Sequence, residues 1–202
     1  MESAVSAVLF VLAALALLGS PGPGIAALLV AGRALGFVGG LRLYAGMQVG
    51  LALAAGLSAM GLASLLAAAP ALRLALTVIS VAYLAWLAWS VATAPVEDGT
   101  IGAESQARLT AVGGFVLGAA NPKAYLAFAS LFGAFAVAPG GGTADAVAKW
   151  LLCVAVMVLV DLAWLVLGAV LGRIRLGAGG QRAMNLAMGG AILAAAGLAL
   201  AA

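Results

Sequence analysis

The sequence predicts an all-α integral membrane protein: six transmembrane helices as two inverted three-helix repeats, with helices 1 and 4 broken at proline motifs. Three observations carry that prediction. The first is composition. Of 202 residues, 66% are hydrophobic and 7% charged, with mean hydropathy +1.26, whereas soluble domains carry roughly 25% charged residues. The second is spacing: the apolar residues fall into six runs, each near the roughly 20 residues a helix needs to cross a bilayer. The third is a pair of interruptions, Gly19-Ser-Pro-Gly-Pro-Gly24 in the first run and Asn121-Pro122 in the fourth. Proline has no N–H and leaves carbonyls without helical partners. In hydrocarbon such backbone is tolerated only against protein or a wet cavity.

The spans are expected at about 5–32, broken at 20–24, then 43–69, 71–93, 110–138, 147–171 and 183–202. Pro70 ends span 2 and Pro95 stops span 3. Residues 1–18 resemble the apolar region of a signal peptide, but they carry Glu2 in place of a basic start, and Gly-Ser-Pro is not a small-x-small cleavage site. The segment is therefore expected to stay in the mature chain. The last run reaches the final residue, so no C-terminal domain is expected. Residues 94–109, with Glu97, Asp98 and Glu104, read as a soluble linker between a first repeat at 1–93 and a second at 110–202.

Basic residues set the expected orientation, because cytoplasmic loops are enriched in Lys and Arg. Arg33, Arg42, Arg108, Arg173, Arg175 and Arg182 follow spans 1, 3 and 5, while the opposite connections hold Arg73 and Lys149. Loops 1, 3 and 5 are thus placed in the cytoplasm and both termini outside. Three helices per half reverse the second half in the membrane. That is the inverted-repeat pattern of secondary transporters, whose sites form where paired helices break. Gly46 with Gly50, Gly114 with Gly118, and Gly168 with Gly172 are spaced for close helix contacts.

Ser20-Pro21 and Asn121-Pro122 share a grammar: Ser and Asn favour the N-cap, Pro the first helical position. Each reads as the start of a half-helix, one running toward each face, with both partly positive ends at the middle. Such ends attract carboxylates. The candidate substrate-binding residues are accordingly Ser20, Pro21, Gly22, Pro23, Gly24, Asn121, Pro122 and Lys123, with Asp161, Gln48 and Tyr125. Lys123 and Asp161 lie roughly 20 and 15 Å deep at 1.5 Å per residue. A charge there costs on the order of 3 kcal/mol, so each needs a partner or water. They are expected to pair, directly or through water, as a fixed ion pair or as a proton-coupling unit. Interface anchoring explains most of the four tryptophans, and most of Ser58, Thr77, Ser80, Tyr83 and Asn185 read as bonded to backbone.

Several function classes find no support. There is no histidine, no basic run for nucleic acid, and a single cysteine, Cys153, which reads as a small buried apolar residue. One deep carboxylate is a poor start for a metal site. The sequence therefore predicts neither an enzyme nor a bound cofactor. Besides a transporter of small zwitterions, three readings stay open: a cation or metal exporter, a membrane thiol-redox relay, and a non-transporting scaffold subunit.

Ser20-Pro-Gly-Pro-Gly24 resembles a signature of the lysine exporter (LysE/RhtB) family. So do Val81-Ala-Tyr-Leu-Ala-Trp-Leu-Ala-Trp89, Gly114-Phe115 followed by Asn121-Pro-Lys123, and Asp161 followed by Trp164. The resemblance implies an exporter of amino acids in the bacterial cytoplasmic (inner) membrane, driven by proton exchange, with an amino acid and the lipid bilayer as partners. A homodimer stays open. The sequence departs from the family at Leu51, where an acidic residue is frequent, and at Phe132-Gly-Ala-Phe135, where Pro-Gln-Phe is frequent. A missing carboxylate points toward neutral rather than dibasic substrates.

Overall fold

The computed structural model describes residues 2–19, 22–61, 109–139, 141–174 and 177–201, with scattered positions between 71 and 93. The described residues are helical apart from short connections. The elements are α1 (Glu2–Gly19), α2 (Pro23–Ala59), α3 (Ala111–Ala119), α4 (Pro122–Ala134), α5 (Gly142–Gly172) and α6 (Ala178–Ala201). The described positions between 71 and 92 are helical too. The linker expected at 94–109 falls outside the described residues up to 108, as do Thr77, Ser80, Tyr83 and Arg73. Two helices, α2 and α5, are long and apolar enough to cross a membrane.

α2 is bent back on itself. At Gly36 φ is 66° and ψ −177°, a left-handed conformation that glycine adopts at little cost. A Cβ on Gly40 would lie 3.5 Å from the backbone of Ala31 and Gly32. In an unbroken helix those residues would be about 12 Å away. α2 is thus a hairpin of two arms, 23–35 and 37–59. The loop expected between spans 1 and 2 shrinks to one corner, and the second span begins near 37 rather than 43. Expected boundaries shift elsewhere as well. α5 begins at Gly142 rather than 147, α6 at Ala178 rather than 183, and α4 ends at Ala134 rather than 138.

Contacts fix how the helices run. α5 lies antiparallel to the second arm of α2. Trp150 donates to the Ala52 carbonyl (2.9 Å), Tyr44 donates to the Val158 carbonyl (3.1 Å), and Leu165 reaches Gly40. Trp150 is thus an interhelical hydrogen-bond donor. α3 runs parallel to the same arm, with Gly46 on Ala111 and Gly118 between Met47 and Leu51. α4 continues α3 in the same direction and ends beside the start of α5, where Val137 donates to Asp145. α1 starts at that same end, with the Ser6 hydroxyl on the Ala136 carbonyl at 2.6 Å. It ends at mid-length, where Gly19 meets Val160. The first arm of α2 then carries the chain to the Gly36 end.

Glycine makes these close approaches possible. A Cβ at Gly118 would stand 2.5 Å from the Met47 carbonyl oxygen, and one at Gly172 would stand 2.6 Å from that of Arg33. In the second crossing Gly32 faces the backbone of Leu165, Gly168 and Ala169, and Gly168 faces that of Leu29. The core between these crossings is apolar: Phe10, Leu28, Leu43, Met47, Leu117, Phe128, Leu131 and Leu165 are at most 1% exposed. Cys153 is fully buried within it.

Candidate functional site

Both interruptions lie at mid-length, and their half-helix starts meet. α1 stops at Gly19 and α2 begins at Pro23 on an N-cap of extended Gly22, with no side-chain cap. The sequence placed this start at Ser20-Pro21. The structure puts the helix two residues later, with Pro23 rather than Pro21 at its first turn, while Ser20 and Pro21 lie outside the described residues. Either proline suits a first helical position, and Gly22 before Pro23 is held extended. The first amides of α2 are left without helical acceptors.

The second start follows the expected grammar more closely. α3 ends at Ala119, and α4 begins at Pro122 on the N-cap Asn121, whose side chain accepts from the Ala124 amide at 3.4 Å. The break frees the Ala119 carbonyl, and Tyr125 satisfies it with a 2.9 Å hydrogen bond from its hydroxyl. Tyr125 is thus a support of the break rather than part of the cavity wall.

Lys123 brings the two starts together. Its side chain lies over Gly22, so a Cβ there would come within 3.0 Å of Cδ and 3.1 Å of Nζ. Across the gap Asp161 enters from α5, only 5% exposed. Its Oδ2 accepts a 2.7 Å hydrogen bond from Gln48 Nε2 on the second arm of α2. Lys123 and Asp161 act on each other electrostatically. A cavity of about 40 Å³ lies between them. Gly22, Gly24, Asn121, Lys123 and Asp161 line it, together with apolar side chains that include Met47, Met157, Ile25 and Leu51. A buried water needs roughly 10–15 Å³ of such volume, so the cavity has room for a few waters and would have to widen for a larger solute.

Of the residues singled out in the sequence, the structure gathers Gly22, Gly24, Asn121, Lys123 and Asp161 at one cavity, with Gln48 in contact with Asp161. Pro23 and Pro122 are buried in the helix starts behind it. Sequence reasoning missed Met47 and Met157, because an apolar residue on an apolar helix carries no signal of its own.

It also missed two polar clusters. At the Val137 end, Asp145 accepts from the amides of Val137 (2.6 Å) and Ala138 (2.9 Å) and pairs with Lys149, which also donates to the Phe132 carbonyl. Lys149 is therefore not a free connection charge but part of α5. The spacing Asp145 to Lys149, four residues apart, could have revealed the pair. At the Gly36 end, Arg33 donates to Asn185 Oδ1 at 2.8 Å. Asn185 thus bonds a side chain rather than backbone, while Ser58 donates to the Ala54 carbonyl as expected.

Two interrupted helices whose starts meet at a charged cavity inside an apolar helical body are the arrangement a membrane translocator uses. Comparison agrees: a family model described as LysE type translocator matches residues 7–202, and the chain belongs to that family. No curated protein and no solved structure matches it.

Proposed function

We propose that the protein exports amino acids or closely related zwitterions across the bacterial cytoplasmic membrane, in exchange for protons. The observation that carries this reading is the meeting of two helix starts, Lys123 and Asp161 around one buried cavity. The substrate carboxylate would sit at the uncapped start of α2, where the free amides and the partial positive charge of the helix favour an anion. Lys123 supplies the full charge. The substrate ammonium, or a proton in its place, would occupy Asp161. Exchange follows from that competition, because one carboxylate does not hold both.

The orientation proposed is with the Gly36 end in the cytoplasm. Gly172 packs on the Arg33 backbone there with Arg173 next to it in sequence, Arg182 lies one turn before Asn185, and Arg42 is on the adjoining arm. Such clustering fits the positive-inside rule. The two halves, 1–93 and 110–202, would rock about the cavity as inverted repeats.

The test is Asp161→Asn, reconstituted in proteoliposomes with the wild type at matched protein amounts. The carboxamide keeps the size and the Gln48 contact but holds no charge. Exchange of amino acid against a proton gradient should fall by roughly tenfold or more, as expected for loss of a charge-assisted contact. Full-rate exchange by a correctly inserted variant would remove Asp161 from the mechanism.

A further inference from the structure

We infer that the transported zwitterion has an uncharged aliphatic side chain, and that Met47 and Met157 are the residues that select it. The inference rests on the export reading above and narrows its substrate. Among the described residues lining the cavity there is one carboxylate, Asp161, and one cation, Lys123. A zwitterion's own ammonium and carboxylate engage both. Apart from Asn121, a third charge on the side chain would then find only apolar side chains in the described lining, among them Met47, Met157, Ile25 and Leu51, all at most 6% exposed. Those side chains offer no hydrogen-bond donor and only weak sulfur acceptors, so an ionic group placed there is buried and unpaired.

The same wall explains how a cavity of about 40 Å³ accepts a solute. Met47 stands opposite Gly24, where a Cβ would lie 2.9 Å from its sulfur. The two arms of α2 therefore leave the room in front of Gly24 to the end of the Met47 side chain. Methionine has three rotatable side-chain bonds and a polarizable thioether that adapts to irregular shapes. Swinging Met47 and Met157 aside opens apolar volume next to the charged groups without moving backbone. The room so made suits a chain of methylene and methyl groups.

The experiment is displacement of labelled norleucine from the purified wild-type protein. Norleucine carries an unbranched aliphatic chain, and lysine extends a similar chain to an ammonium. Unlabelled leucine and methionine should displace it, whereas lysine and glutamate should need roughly 100-fold higher concentrations, the penalty expected for an unpaired charge at such depth. Met157→Glu places a carboxylate in the wall and should bring lysine to within about tenfold of norleucine. Met157→Leu, of similar volume, should keep the wild-type order and guards against misfolding of the charged variant. Lysine displacing as well as norleucine in the wild type would overturn this inference and leave amino-acid export standing. If no amino acid binds at all, the export reading fails and takes the inference with it.

Discussion

Gln48 shows how much one amide decides. Its Nε2 is the donor to Asp161, while its Oε1 is buried with no partner among the described residues. A buried acceptor without a donor costs stability. The residue therefore burdens the fold on one side and serves the carboxylate on the other. Gln48→Leu removes both at once, and this separates the two roles. Loss of the donor should cut exchange by roughly tenfold or more. Loss of the unpaired carbonyl should leave the melting temperature in detergent unchanged or slightly higher. Initial exchange rates and thermal unfolding of the same preparation check the pair of outcomes, and an unchanged rate would strike Gln48 from the site. The amide was visible in the sequence as a polar residue in an apolar span. That it pairs with Asp161 was not, because Asp161 lies 113 positions away and only the antiparallel packing of α5 on α2 joins them.

At the scale of the helices, glycine sets how closely two backbones approach. Gly46 and Gly50 on α2 and Gly114 and Gly118 on α3 meet one another, so the two spacings seen separately in the sequence form one crossing. Gly168 and Gly172 form a second crossing with Gly32 and its neighbours on the first arm. A Cβ at Gly118 would stand 2.5 Å from the Met47 carbonyl oxygen and 2.9 Å from the Leu51 amide nitrogen. Both are backbone atoms, which do not swing away as side chains do. Gly118→Ala should therefore destabilise the protein by about 1–3 kcal/mol, the range for overpacking, and should displace Met47 and Leu51 from the cavity wall. Gly133→Ala, with nothing near its position, is the control and should unfold as the wild type does. Equal melting temperatures for the two variants would contradict the close crossing. The breaks in helices 1 and 4 were legible for a related reason: proline and glycine constrain backbone wherever they stand. The reversal at Gly36 was not, since a single glycine among the many in apolar helices does not announce which one adopts φ 66°.

On the scale of the whole molecule, the cavity lies between two differently built ends. The Gly36 end is held by backbone crossings and by Arg33 bound to Asn185. The Val137 end is held by side chains. There Phe10 stacks on Phe132 with ring centres 6.5 Å apart and meets Phe135 edge-on at 5.8 Å. Asp145 gathers the end of α4 onto the start of α5. Asp145 lies in the first turn of α5 and is covered by its own partners. Asp145→Asn cannot form the charge pair and leaves Lys149 covered without its counter-ion, so it should cost about 2 kcal/mol at neutral pH. Thermal unfolding of both proteins at neutral pH checks this. Equal melting temperatures would mean that the charge pair does not hold the Val137 end.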